Sequence, residues 1–415
     1  MSDEDLIASL VHDYGSPLYV YRLSALARAH STLRAALPEP CVLYYSVKAN
    51  PHPVLVAELA ARGCRAEISS PGELDVVLAA GVPPTECLYT GPGKTDGEIT
   101  DALRRGVRCF SVESAGELSR LDAAARAEGV EVDCLLRINA GHAAAAGLRM
   151  TGRPSQFGID VDQLREDPAL CRFGGAARVV GLHQFPVSNT TDPQALLDAF
   201  GAGAAVAAEL RDRHGVTVTE LDLGGGFAAP YATDGEPPEY GETLREGLAA
   251  VLDRHLPGWR TGEPLVAVES GRRLVGPAGE LVCSVTDVKR SGDRTFVVLD
   301  TGIHHVGGLS GIGRLLPSSV GAEVLGAGDR PRVRVDLVGP LCTPADVLAR
   351  AVELPLPRPG DLLRVPNAGA YGLTASVMGF LSRTPPVEVV LDGDEVRSAT
   401  ALRTRRADVS EGGAR

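Results

Sequence analysis

The sequence predicts a closed (β/α)8 barrel followed by an antiparallel β domain. Three observations carry that expectation. Between about residues 41 and 272, short β-branched apolar runs alternate with Ala-, Leu- and Arg-rich stretches, the pattern of repeated βα units around a parallel sheet. Polar residues in this region fall at the carboxyl ends of the runs, where such barrels carry their chemistry. After Arg272 the pattern changes to short β-rich segments separated by Gly and Pro.

Taken in order, Pro17–Tyr21 reads as an early strand that joins the later β domain. The barrel strands are expected at Cys41–Ala49, Arg65–Ser69, Cys87–Thr90, Val107–Val112, Val132–Ile138, Val179–Phe185, Glu220–Leu223 and Leu265–Glu269. Helices such as Pro53–Ala61, Ala115–Glu128 and Pro193–His214 lie between them. The β domain is read from Gly279–Val288, Thr295–Thr301, Arg332–Val338 and Val387–Leu391. The tail Arg403–Arg415 is charged and Gly-rich, and is expected to be disordered. The division that results is an N-terminal segment over 1–30 packing with the β domain, a barrel over 31–275, a β domain over 276–402 and a tail over 403–415. No repeat of solenoid period is present.

Composition excludes several function classes. The 415 residues carry a net charge of −12, a poor match to a phosphate backbone, so nucleic acid is not an expected partner. No apolar run approaches the roughly 18–20 residues that cross a bilayer. The first ten residues carry acids where an export signal carries bases, so a cytoplasmic location is expected. Eight cysteines stand singly without CxxC pairs, which suits a reducing compartment and offers no zinc signature. Only three lysines, Lys48, Lys94 and Lys289, accompany 38 arginines, so lysine chemistry has few candidates.

In Tyr45-Ser46-Val47-Lys48-Ala49-Asn50 a lysine ends an otherwise apolar strand. Burial there favours the neutral amine that attacks a carbonyl to form an imine. A lysine snorkelling from a strand end gives the same sequence. The motif resembles the lysine motif of the fold-type III pyridoxal-phosphate decarboxylases, the diaminopimelate and ornithine decarboxylase group. The resemblance spans nearly the whole chain through Ser69-Ser70-Pro71-Gly72-Glu73-Leu74, Arg137-Ile138-Asn139, Gln156-Phe157-Gly158, Leu223-Gly224-Gly225-Gly226, Glu269-Ser270-Gly271-Arg272, Gly339-Pro340-Leu341-Cys342 and Gly369-Ala370-Tyr371-Gly372. Each piece alone is weak; their order makes the match specific.

The resemblance implies pyridoxal 5′-phosphate as cofactor, bonded to Lys48. Unhindered backbone N–H groups of Gly224, Gly225 and Gly226 suit a phosphate, although such a run alone is equally a turn. By similarity Arg272, Ser188 and Tyr371 complete the phosphate site, with Arg137 and Glu67 near the ring. Glu269 matches the acid that keeps the pyridine nitrogen protonated and the ring a strong electron sink; taken alone it is an ordinary strand-end acid as readily. Cys342 matches a cysteine that returns a proton after carbon dioxide leaves, and without the resemblance it reads as a core residue. Asp346 has the family's spacing from it. The family also implies a homodimer, with the cysteine loop of one chain completing the lysine site of the other.

Three departures bear on substrate. Where the family stacks a histidine on the cofactor face, Gly181–Ser188 offers Phe185, with His183 two residues earlier as either a contributor or a satisfied core histidine. Thr343 follows Cys342 where diaminopimelate and ornithine enzymes place a carboxylate. The stretch Asp300-Thr301-Gly302-Ile303-His304-His305 with Ser310-Gly311 replaces an arginine-containing segment, which makes His304 and His305 candidate substrate contacts beside Thr343 and Asp346. That form, with Met150–Gly158, is similar to a branch acting on unusual amino acids, including glutamate linked to an acyl carrier protein. The leading expectation is therefore decarboxylation of an unusual or carrier-linked α-amino acid in a secondary-metabolite pathway. The alternatives are diaminopimelate, ornithine or arginine decarboxylation, and an inactive regulatory homologue.

Overall fold

The structure, a computed structural model, describes residues 2–139, 155–306, 319–404 and 406, and the backbone of 148–149. Met150–Pro154, Ser310-Gly311 and nearly all of the tail from Arg403 lie outside the described residues. No helix among those described is long and apolar enough to cross a membrane.

The chain divides into two compact units: one of residues 23–230 and 235–278, the other of residues 1–22, 231–234 and the chain from Gly279 onward. In the first, strands β2 (Val42–Ser46), β3 (Arg65–Ile68), β4 (Cys87–Tyr89), β5 (Cys109–Val112), β6 (Val132–Asn139), β7 (Ala177–His183), β8 (Glu220–Asp222) and β9 (Leu265–Ser270) pair in parallel in chain order. β9 closes on β2, so the sheet is a ring. Tyr44, Leu88, Leu135 and Ala267 project from four of these strands into one apolar cluster. Removing such side chains from water is the main stabilising term for a parallel sheet covered on both faces.

The helices begin where the sequence supplies caps. Ser114 accepts from the Glu117 amide to open α6 (Ala115–Glu128), and Gly129 ends it at φ 67°. Asp192 and Pro193 open α8 (Pro193–His214), and Gly215 ends it at φ 61°. Helix α3 (Pro53–Ala61) likewise starts on a proline.

In the other unit α1 (Asp3–Tyr14) lays Leu6, Ile7 and Leu10 on a sheet. That sheet contains β1 (Leu18–Arg22), β10 (Gly279–Ser291), β11 (Arg294–Leu299), β12 (Arg332–Val338), β13 (Val347–Pro355), β14 (Leu362–Val365), β15 (Val387–Asp392) and β16 (Glu395–Ala401). Most pairings are antiparallel, but β1 with β15 and β11 with β12 run parallel, so the sheet is mixed. Neither parallel pair is a sequence hairpin, and a long crossover leaves strand direction free.

Three boundaries differ from the sequence reading, the smallest being Gly276–Ala278, read as β domain but part of the barrel unit. Only residues 1–22 of the expected 1–30 segment belong to the β unit, because α2 (Leu23–Ala35) buries Leu23, Leu26 and Leu33 and packs on α3 within the barrel unit. Conversely Tyr231–Asp234, read as barrel, joins the β unit: the Ala232 amide donates to the Asn367 carbonyl at 3.0 Å, and Asn367 Nδ2 to the Thr233 carbonyl at 2.8 Å.

Candidate active site

At the carboxyl end of the barrel β2 stops at Ser46, three residues before the expected end, and a 3-10 turn over Val47–Ala49 carries Lys48. The Asn50 amide donates to the Val47 carbonyl, and the buried Tyr45 hydroxyl donates to the Asn50 carbonyl at 2.7 Å. The turn is thus pinned, and it aims Lys48 across the barrel mouth. The side chain is 38% exposed, and its Nζ lies 2.6 Å from Glu67 Oε2. Pairing with an acid, more than deep burial, is what this ammonium meets.

Lys48, Glu67, Arg137, His183, Phe185 and Glu269 line one cavity of about 370 Å³ in the barrel unit. Burial alone would raise the Glu67 carboxyl, but the Lys48 charge and hydrogen bonds from Lys48, Thr90 and Ser46 outweigh it and hold the group below the usual range. Arg137 pairs with Glu113 at 2.9 Å beneath the Phe157 ring, and the other Glu113 oxygen accepts from the Gly158 amide at 2.8 Å. Phe185 faces Lys48, with Nζ 5.8 Å from the ring centroid. His183 is tied through Nδ1 to the Ser111 hydroxyl at 2.6 Å. Its Nε2 stands 2.9 Å from Glu269 Oε1 without hydrogen-bond alignment, so both buried atoms lack a hydrogen-bond partner among the described residues.

Gly224–Gly226 follow β8 and cross the same end. Gly224 has φ +71° and Gly226 φ +125°, left-handed values that disfavour any side chain. A Cβ on Gly224 would strike the Gln184 carbonyl, and one on Gly225 would come within 2.6 Å of the Glu269 carbonyl. The Gly224 amide donates to Asp222 Oδ1 at 2.8 Å and the Glu269 amide donates to the Gly224 carbonyl at 2.9 Å, which couples the glycine turn to the strand bearing Glu269. Arg272 follows β9 by two residues, and Ser188 sits on a two-residue strand, Val187–Ser188.

The remaining candidates belong to the other unit. Cys342 is exposed, and Thr343 beside it is half-buried, its Oγ1 accepting from the Ala345 amide at 3.3 Å. Asp346 is only 3% exposed; one oxygen accepts from the Ile303 amide at 2.9 Å and the other from the Leu341 amide at 2.8 Å. Glycines at 302 and 339 leave it space that any Cβ would fill. Asp346 therefore ties two loops together, and the substrate contact expected of it has no free oxygen. His304 and His305 are buried with ring centroids 3.7 Å apart, and burial first, then the His304 charge, pushes His305 down to about 3. Both are packed residues of the β unit. Tyr371 adopts φ 52°, its carbonyl accepting from the Tyr231 hydroxyl at 2.7 Å.

Sequence reasoning overlooked Asp222, Glu113 and Lys94. The first two had a signal, an acid inside or at the end of an apolar barrel strand. Lys94, named only as one of three lysines, is buried and donates to the Gly91 and Ser111 carbonyls and to Glu117 Oε1 at 2.6–2.8 Å. Burial lowers its pKa, partly offset by the Glu117 charge.

This site fits pyridoxal phosphate: side-chain-free glycines for a phosphate, an unpartnered buried acid for a ring N–H and a lysine on the cavity wall. Residues 23–276 match the sequence model of the pyridoxal-dependent decarboxylase family, pyridoxal binding domain. An L-glutamyl-[BtrI acyl-carrier protein] decarboxylase of Niallia circulans is 28% identical over 94% of this chain and 91% of its own. A diaminopimelate decarboxylase of Pseudomonas aeruginosa is 32% identical over 96% and 93%. The structure of Helicobacter pylori diaminopimelate decarboxylase complexed with L-lysine superposes with a TM-score of 0.82 at 24% identity over 94% and 95%, which shows the shared fold. The chain belongs to the pyridoxal-phosphate-dependent amino-acid decarboxylases of the diaminopimelate and ornithine group.

Proposed function

We propose that the protein decarboxylates an α-amino acid whose side chain ends in a neutral linkage, such as a glutamyl unit joined to an acyl carrier protein. The observation that carries this reading is that the Cys342 loop offers no free carboxylate. Thr343 stands where an acid would meet a distal ammonium, and both oxygens of the neighbouring Asp346 are committed to backbone amides. The carrier-linked activity of the Niallia relative supports the same reading. Higher identity to the Pseudomonas enzyme favours a second reading, diaminopimelate itself.

When bound, pyridoxal phosphate supplies a conjugated cation that draws off the electron pair left as the substrate's carboxylate departs. Within that chemistry Lys48 is the amine that holds the cofactor, and Glu269 keeps a proton on the ring nitrogen. Gly224–Gly226 with Arg272, Ser188 and Tyr371 hold the phosphate. Glu67 neutralises Lys48 while the amine is charged. Arg137, fixed by Glu113, flanks the ring, and Phe185 gives it an apolar face. Cys342, from a second copy of the chain, returns a proton to the α-carbon through its thiol.

Leaving a distal ammonium buried and unpaired costs about 3 kcal/mol or more, a factor of about a hundred in rate. Carbon dioxide release should therefore be about a hundredfold faster from γ-linked glutamyl conjugates than from free diaminopimelate, ornithine or lysine at equal concentration. A strong preference for free diaminopimelate would establish the second reading instead. Thr343→Glu is expected to improve handling of the diamino acids.

A further inference from the structure

Asp222 ends β8, in register with His183 of β7 and Ala267 of β9, and is fully buried at 0% exposure. One oxygen accepts from the Gly224 amide at 2.8 Å; the other, Oδ2, has no hydrogen-bond partner among the described residues. Glu269 Oε1 on the adjacent strand is a second buried oxygen without a hydrogen bond. One donor atom from each of these two acids and from His183 all lie within 4.8 Å of one another. The ionisable groups that face Asp222 are His183 on β7, Glu269 on β9, Glu220 on its own strand and Glu67 on β3, and the three acids raise its carboxyl. The cation closest to Glu67, Lys48, is spent on it.

Two carboxylates buried this close together do not both ionise. Two orphaned acceptors become a donor and an acceptor once one of them carries a proton. Glu269 must stay anionic to hold a protonated ring nitrogen, which leaves Asp222 as the proton carrier.

We propose that Asp222 is a neutral carboxylic acid and a positioning residue of the active site, one oxygen anchoring the glycine turn and its proton serving Glu269. The choice of Asp222 over Glu269 as the proton carrier rests on the role assigned to Glu269 above; that the pair holds one proton does not. Burial, with the Glu269 charge adding to it, pushes the Asp222 carboxyl well above the usual range. A folded-state pKa above the unfolded one means that the folded chain keeps a proton the unfolded chain gives up. The contribution to stability is full below the ordinary carboxylate range and is lost as pH rises toward the folded pKa.

The test uses cofactor-free and cofactor-loaded full-length protein. Infrared difference spectra of cofactor-free wild type minus Asp222→Asn at neutral pH should show the carbonyl stretch of a protonated carboxyl group, shifted in Glu269→Gln. The folding equilibrium constant of wild type should fall relative to Asp222→Asn by up to about tenfold per pH unit above the carboxylate range. Asp222→Asn, which keeps the acceptor for Gly224, should bind pyridoxal phosphate within about tenfold of wild type, whereas Asp222→Leu should lose about a further tenfold or more. Absence of the infrared band overturns the proposal, as does cofactor loss in Asp222→Asn equal to that in Asp222→Leu. A stoichiometric divalent cation bound by the cofactor-free protein and lost in Asp222→Asn would overturn it too, replacing the proton with a metal. Should the band be present while Glu269→Gln leaves the loaded enzyme unchanged, the protonation stands and the role of Glu269 falls.

Discussion

Three lysines meet three environments. Lys48 reaches one acid from a half-open cavity wall, Lys94 spends its three protons on two carbonyls and Glu117 in the interior, and Lys289 is exposed on β10. Withdrawing Lys94 would leave the buried Glu117 charge without its cation and with the Glu113 amide as a remaining donor, at a cost of about 3–5 kcal/mol. Borohydride reduction of the loaded enzyme followed by peptide mapping is therefore expected to place the label on Lys48. Lys48→Ala should abolish both label and yellow colour. Lys94→Met should lose about 3–5 kcal/mol of stability yet keep the label on Lys48; label on Lys94 or Lys289 would end the assignment. The sequence displayed Lys48 because a scarce lysine closed an apolar run. It hid Lys94, because Glu117 is 23 residues away and the Ser111 carbonyl belongs to another strand.

Within single elements, helices with both a capping residue and an apolar stripe are the ones whose limits the sequence states, as with α3, α6 and α8. Strand limits were less legible. The first barrel strand reads as continuous through Ala49, yet pairing stops at Ser46 and the backbone turns over Val47–Ala49, a change that periodicity does not record. The glycine turn after β8 and the glycine cap of α8 separate two costs. Gly215 is open around its missing Cβ, so Gly215→Ala pays only for left-handed backbone, about 1–2 kcal/mol. Gly224→Ala adds a collision with the Gln184 backbone, for roughly 3 kcal/mol or more in all. Trp259, the sole tryptophan, is buried in the barrel unit and reports on that unit in denaturant. Its unfolding midpoint should fall further for Gly224→Ala than for Gly215→Ala, with loss of cofactor only in the former; equal losses would show that the turn can shift.

For the whole molecule, the residues given roles in the proposed function are divided between two units, Lys48 and Glu269 in one and Cys342 in the other. The homodimer that this family implies predicts complementation. Lys48→Ala and Cys342→Ala chains, each inactive alone, should regain activity when mixed and allowed to exchange, because some dimers then hold one intact site. No recovery, with exchange demonstrated by differently tagged chains, would confine each site to a single chain.

The sequence by itself determined the closed barrel, the later sheet, the ordered motifs and Lys48, because periodicity, caps and strand-end polar residues are local. Only the tertiary structure decided that Asp346 is a loop tie, that His304 and His305 are packed inside the β unit, that the second sheet is mixed, and that Asp222 lies buried beside Glu269 and His183. Each of these turns on partners far apart in the chain. What a carboxylate or an imidazole does depends on the water and the hydrogen-bond donors left around it once those distant segments have met.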